Sequence, residues 1–356
     1  MLNQMNRSSA GWLWMLLMVA ATVPAGAGEP IAIRPRWTAG DARYFEISES
    51  AVQTLAAPQA TMKTAVDQVV GFREIVDEVT AEKIALTWVF ERMALGLNSP
   101  TMGPKMEYDT DVPNLERTGK LVGPICRNFV GATLKLELDG QGKVTSFTGM
   151  KEAVDKVGKN TLGNMIFSQL REGMTDDLTR NEYVDSRMVL YPDRPVKEGD
   201  AWKAEVRRND PRFGTLVTKY VVKFDRMTEE NGRTLAILSY EGARSRAGAP
   251  STRPGPMGQL WEYVEGAVTG SARFDPAKGT IIDQREQTAG SITIRDPKAA
   301  PDAPATARIE TRGTRAIVVM TQDERNEQKA LHDKKSQELK LEREAKEKAA
   351  KEEKPK

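Results

Sequence analysis

The chain has 356 residues, 39% hydrophobic and 29% charged, with a formal net charge of +2. That length is enough for one large domain or two ordinary ones. The near balance of charge excludes a strong pull toward nucleic acid or anionic lipid, and no basic face is interleaved with stacking aromatics.

The first 27 residues read as a secretory leader. Arg7 is the only charge before Glu29, and an apolar run extends from Gly11 to Val23. Pro24 then breaks the helix, and Ala25-Gly26-Ala27 supplies the small residues that a signal peptidase accepts. The run falls short of the roughly 20 apolar residues a membrane span needs. The expectation is an exported protein, periplasmic or extracellular, beginning at or near Gly28, with no transmembrane span once the leader is removed.

A first β unit is expected over residues 28–149. It opens with Arg34-Pro35, Gly40-Asp41-Ala42 and Tyr44. Val66, Val69, Val70 and Phe72 precede a turn at Glu78 to Glu82. Ile84, Leu86, Trp88 and Phe90 then alternate with Ala85, Thr87 and Val89, the period of two that places alternate side chains on one sheet face. Leu134, Leu136 and Leu138 alternate with Lys135, Glu137 and Asp139, a strand with one wet face. Asp139-Gly140-Gln141-Gly142 turns the chain into a returning strand from Val144 to Phe147.

The period changes over residues 150–187, where a helical insert is expected. Lys151 to Val157 reads as one helix. Leu162, Met165, Ile166 and Leu170 have helix spacing, and Gly173 ends that segment. Thr175 or Asp176 is the candidate cap of a third segment toward Tyr183. The apolar stripe requires a partner, and the sheet is the nearest one.

A second β unit is expected over residues 188–321. It opens with Arg194-Pro195 and Gly199-Asp200-Ala201-Trp202, echoing the first. Tyr220, Val222 and Phe224 lead to Asn231-Gly232, a hairpin signal because both positions tolerate positive φ. Leu235 to Tyr240 returns. Later strands run from Ala272 to Phe274, Thr280 to Ile282, Ser291 to Ile294 and Ala307 to Met320. The shared openings predict an internal duplication in which Gly40 and Gly199 start equivalent strands and Tyr44 and Trp202 plug the same sheet face. The fold class is mainly β (α+β): long antiparallel meanders in two related units, with the helical insert between them.

Residues 322–356 are almost all Glu, Lys, Ala, Gln and Arg. Glu342 with Lys346, and Glu344 with Lys348, are favourable helical pairs. Leu331, Leu339 and Leu341 are too few for a coiled-coil seam. The expectation is a charged, partly helical, solvated tail whose removal leaves the body's stability unchanged.

His332, in that tail, is the only histidine, and Cys126 the only cysteine. The pair removes Ser-His-Asp and Cys-His nucleophilic catalysis, as well as zinc, haem and iron–sulfur sites built on several such ligands. Cys126 reads as a small buried hydrophobe. No phosphate loop or dinucleotide fingerprint is present. Asp109 with Asp111, or Glu46 with Glu49, are the carboxylate pairs available for acid and base work on a glycoside. Asp139-Gly140-Gln141-Gly142 falls short of a calcium loop.

The stretch Pro-Val-Lys-Glu-Gly-Asp-Ala-Trp from Pro195 to Trp202, with the meander after it, resembles uncharacterised secreted bacterial β-proteins of the domain-of-unknown-function kind. The resemblance covers most of Pro35 to Thr321. At the level of fold, long antiparallel strands with a helical insert are also similar to periplasmic lipoprotein-carrier half-barrels, whose curved sheet holds acyl chains. The reading reached by elimination is an exported, non-catalytic binding protein of the cell envelope, with an apolar ligand or another envelope component as partner and no cofactor or metal. The ligand is expected between sheet and insert, against Trp88 and Phe90 from the sheet and Met165, Ile166 and Leu170 from the helix. The alternatives are an envelope scaffold without a small-molecule site and a carboxylate hydrolase.

Overall fold

The computed structural model describes residues 29–100, 105–113, 122–158, 171–248, 259–296, 298 and 305–352. Met165, Ile166 and Leu170 lie outside the described residues, as does the leader.

The strands are β1 (Ala42–Ala57), β2 (Ala60–Val79), β3 (Lys83–Asn98), β4 (Met106–Asp109), β5 (Thr133–Asp139) and β6 (Val144–Thr148), followed by β7 (Ala201–Asp210), β8 (Gly214–Glu230), β9 (Arg233–Ala247), β10 (Leu260–Asp275), β11 (Thr280–Arg295) and β12 (Ala307–Met320). All twelve belong to one sheet in the order β6-β5-β3-β2-β1-β12-β11-β10-β9-β8-β7, with β4 beside β3. Every pairing is antiparallel. The two expected meanders are present and meet edge to edge. Their seam is the ladder between β1 and β12, from Tyr44↔Met320 to Ala56↔Arg308.

Both Gly-Asp-Ala segments build the same turn. Gly40 has φ 86° and Gly199 φ 87°, a region that glycine enters without penalty. Asp41 N–H donates to the Thr38 carbonyl at 3.0 Å, and Asp200 N–H to the Lys197 carbonyl at 3.0 Å. Gly40 N–H then reaches the Val76 carbonyl and Gly199 N–H the Phe224 carbonyl, at 2.9 and 2.7 Å, which fixes the register of the next strand. The segments before the turns also meet, since Ile31 and Val196 exchange backbone hydrogen bonds at 2.8 and 2.9 Å. The expected equivalence of Tyr44 and Trp202 fails. Tyr44 is four residues past its glycine and Trp202 three, and in a strand that difference reverses the face. Trp202 occupies the place of Arg43 and donates its indole N–H to the Val189 carbonyl at 3.0 Å. Tyr44 points to the opposite face, under Arg325.

One face of the sheet carries the helices: α1 (Val122–Phe129), α2 (Met150–Val157), α3 (Asp176–Arg180) and α4 (Ser186–Met188). No sustained period marks α1, which buries Val122, Cys126 and Phe129. Thr175 is the cap of α3, accepting from Leu178 N–H at 3.2 Å. A π-helical turn, Asn181–Asp185, joins α3 to α4. Under these helices Phe45, Phe72, Trp88, Phe90, Leu134, Leu136 and Phe147 form one apolar cluster. A second cluster gathers Val222, Phe224, Leu238, Phe274 and Ile281 beneath Ile33, Leu190 and Val196. Among the described residues no helix is long and apolar enough to cross a membrane.

The tail corrects its expectation. It is a single helix, α5 (Gln322–Glu352), and its first turns dock on the sheet face opposite the insert. Arg325 is only 4% exposed, bonds Asp111 at 2.7 Å and lies 4.6 Å over the Tyr44 ring. Gln328 donates to Glu46 at 3.3 Å, and His332 meets Asp111 at 3.3 Å. Arg325, Gln328, His332 and Ser336 recur at helical spacing, so the docked stripe is polar rather than apolar. That is why hydrophobic periodicity cannot reveal it. Truncation after Thr321 is therefore expected to lower stability, with Arg325→Ala alone costing about 2–3 kcal/mol because Asp111 loses its closest cation. Urea denaturation of the truncated chain checks this, and an unchanged midpoint would restore the solvated tail.

Candidate functional site

Trp88 and Phe90 share a face of β3 and are each 2% exposed. They belong to a continuous aromatic stack, with centroid distances of 4.9 Å for Phe45–Trp88, 4.5 Å for Phe72–Phe90 and 5.5 Å for Phe90–Phe129. Trp88 Nε1 donates to Glu74 at 2.9 Å. The void beside Trp88, reaching Trp37, Tyr183 and Arg187, measures about 30 Å³, room for roughly one or two waters. Between the sheet and the described insert helices these side chains pack against one another.

The carboxylate candidates resolve differently. Glu46 and Glu49 lie three residues apart on β1 and therefore face opposite ways. Asp109 and Asp111 do converge, on Arg92, at 2.8 and 3.7 Å, and Glu46 joins them at 2.5 Å. With Arg325 paired to Asp111 and His332 in hydrogen-bond contact with it, this is a polar hub that fastens β4 and α5 to β1 and β3. Burial opposes the charge on Arg92, but Asp109 and Glu46 outweigh it and raise its pKa. At Asp111 burial likewise opposes ionisation, and Arg325, His332 and Arg92 outweigh it, so its pKa falls. Burial pushes the Cys126 thiol up to about 12, which leaves it an inert apolar group.

A second polar cluster lies on the insert side of the seam. Arg315 on β12 meets Glu49 at 2.5 Å, Glu182 from the π-helical turn, and Glu286 on β11 at 3.9 Å. Glu182 also takes Arg208 at 2.9 Å. Tyr240 donates to Glu286 at 3.3 Å and accepts from Gln284 at 2.8 Å. Burial raises Glu286 to about 7, helped by Glu49 and opposed by Arg244 and Tyr240. The folded protein thus keeps this proton to near pH 7, while the unfolded chain releases it at the ordinary value of 4.5. Stability from this group therefore falls as pH rises between those values. Glu286→Gln is expected to raise stability at pH 8 by up to about 3 kcal/mol, with the gain fading toward pH 5. Denaturation midpoints of both proteins across that range check the sign.

A broad concavity lies on the other face, along the seam. A volume of about 480 Å³ is lined by Ser50, Val52, Ala65, Ala267, Ala289 and Thr314, among others. It shares Ser50, Thr269, Gln287 and Thr314 with a neighbouring volume of about 520 Å³ that adds Ser48, Ser271 and Arg285. A third, about 270 Å³, continues past Ala267, Ala289 and Arg312. Ala65 on β2 and Ala267 on β10 line the same volume although three strands separate them. Four strand gaps of about 4.8 Å put those strands about 19 Å apart along the sheet, so the face must curve into a trough. From Glu265 to Ser271 the trough follows about 20 Å of strand. Its floor is open because most side chains there are small, with Arg285, Gln287 and Arg312 the long ones among them. The sequence holds that signal in Gly266-Ala267-Val268-Thr269-Gly270-Ser271-Ala272 and Thr288-Ala289-Gly290-Ser291, strands with scarcely a large residue on either face. A search for apolar alternation passes over them.

The fold and site together define a single-sheet β protein with a helical insert and an open seam trough. Residues 81–237 match a family of unknown function (DUF6263), in line with the resemblance drawn from the sequence. No curated protein matches the chain. Among solved structures, a lipovitellin structure concerned with lipid–protein interactions is 8% identical, over 80% of this chain and 26% of its own, with a TM-score of 0.38. The chain thus spans about a quarter of the lipovitellin chain. An outer membrane channel from Pseudomonas putida F1 is 8% identical, covering 81% and 98%, with a TM-score of 0.23. A putative outer membrane lipoprotein-sorting protein domain from Vibrio parahaemolyticus is 10% identical, covering 78% and 85%, with a TM-score of 0.13. At these scores the likeness carries no assignment of ligand or activity.

Proposed function

We propose that the protein is an exported, non-catalytic binding protein of the cell envelope, and that an elongated, largely apolar ligand lies in the seam trough. The observation behind this reading is the curved strip formed by β2, β1, β12, β11 and β10, lined mostly by small side chains with Arg285, Gln287 and Arg312 among them, over volumes of about 480 and 520 Å³. Here Ala65, Ala267, Ala289 and Ala316 leave the backbone exposed to whatever fills the space. Ligand sites of a few hundred Å³ with mixed apolar and hydroxyl walls fit this arrangement. The site differs from the one expected between sheet and insert, where Trp88 and Phe90 are already occupied by each other's neighbours.

Protein purified under native conditions, extracted with organic solvent and examined by mass spectrometry, is expected to yield reproducible apolar molecules. Ala289→Trp fills the trough from an exposed position without touching either apolar cluster, so it is expected to remove them while the protein stays folded. An empty extract from the unaltered protein favours the envelope scaffold, with α5 as its contact element. Extract unchanged by Ala289→Trp places the ligand elsewhere.

A further inference from the structure

We infer that the trough selects an anionic amphiphile, with the headgroup on Arg285 and the apolar chain along Val52, Ala65, Ala267 and Ala289. This inference rests on the seam trough being the binding site, and it adds the ligand's chemical class and orientation.

The trough is not uniform. The end toward the α5 docking site is walled by Ser48, Ser50, Thr269, Ser271, Gln287 and Thr314. The adjoining part adds Ala51, Val52, Ala65, Ala267, Ala289 and Gly313, together with Asp67, Thr288 and Arg312, and the surface it presents is mainly apolar. A polar end thus continues into a mainly apolar one, which is the profile of an amphiphile rather than of a sugar or a plain hydrocarbon.

The charges on this face give the sign. Arg273 is held by Asp283 and Glu230, and Arg308 by Glu310 at 3.5 Å. Glu46 is held by Arg92 at 2.5 Å, whereas Asp67, across the trough on β2, accepts from Ser50 at 2.7 Å and has no ion pair among the described residues. Arg285 has no carboxylate within ion-pair distance among the described residues. Its cross-strand neighbours are Ser271 and Ala316, and Asp283, two residues back on its own strand, is committed to Arg273. Arg312 also lacks an ion pair among the described residues, but it shares its part of the trough with Glu265 and Glu310, so the charge there is balanced. Arg285 is therefore the uncompensated cation of the hydroxyl-walled end. Guanidinium and hydroxyl donors together match the oxygens of a carboxylate or phosphate. A chain seated beside the headgroup displaces water from the Arg285 side, which strengthens the charged contact.

The experiment uses the full chain and isothermal titration calorimetry with decyl phosphate, decanoate, decanol and inorganic phosphate, each amphiphile below its micellar concentration. Decyl phosphate and decanoate are expected to bind more tightly than decanol, and inorganic phosphate alone is expected to give no heat. Arg285→Gln is expected to weaken the two anionic probes about tenfold, the loss of one charge-assisted contact, and to leave decanol within about twofold. Ala289→Trp is expected to abolish all three amphiphiles. If Arg285→Gln changes the anionic probes and decanol alike, or changes neither, the headgroup assignment is overturned and the trough stands. If inorganic phosphate binds as well as decyl phosphate, the site is a simple anion site and the amphiphile is overturned. If no amphiphile binds the unaltered protein, or Ala289→Trp has no effect, the trough reading fails and takes this inference with it.

Discussion

The pairing of β1 with β12 is the constraint on which the rest of the geometry depends. It joins two meanders that would otherwise each end in a long bare edge, and it places the seam at the middle of the sheet. The trough lies on this seam, with β12, β1 and β11 as its floor and β2 and β10 as its walls. The same strand is fastened on both faces. Glu46 looks toward Arg92 and the docked helix, while Glu49 looks toward Arg315 and the insert. A single strand with carboxylates three residues apart thus links two ion-pair clusters on opposite sides of the sheet.

The ladder also has a kinetic side. β1 ends at Ala57 and β12 begins at Ala307, so the seam closes only after nearly the whole chain is available. Hairpins such as β1–β2 and β8–β9 are local and form early, whereas the seam pays a large loop-closure cost first. The larger apolar cluster crosses the seam through Ile317 of β12, whereas the second lies wholly beneath β8 to β11. The second meander can therefore gather its own cluster before the sheets fuse, while the first is completed only when β12 arrives.

Much of the β architecture was legible. Asn231-Gly232 forms its hairpin with φ 52° and 73°, and Asp139 to Gly142 and Asp275 to Gly279 turn as their residues require. These signals are local, carried by a few residues whose backbone preferences decide the outcome. The parts that escaped depend on partners far away. Arg325 and His332 look like solvent charges in a Glu/Lys-rich helix, and only Asp111 draws them in. Helix α1 is short and sits inside a β unit, so its few apolar residues give no sustained period. The carboxylates Asp109 and Asp111 were visible as a pair, but their guanidinium partner Arg92 was not, since it lies on another strand. The aromatic side chains singled out as ligand contacts are core because large apolar residues on a half-buried sheet fill the space they face. The residues that leave space open are alanine, glycine, serine and threonine, which make no pattern of their own.

Among the described residues the sheet keeps open edges at the short β6 and β4 on one side and at the longer β7 on the other, because its meanders join to each other and not around to a closed barrel. An edge strand of ten residues offers free backbone groups to any extended chain that approaches. Along β7 the solvent-facing positions are Lys203, Glu205 and Arg207, charged and alternating with the inward Trp202, Ala204 and Val206. A second molecule docking edge to edge would align these charges with their own copies or strip them of water. The border of the sheet is thereby fenced electrostatically, and the open seam trough can face solvent without the molecules zipping into filaments.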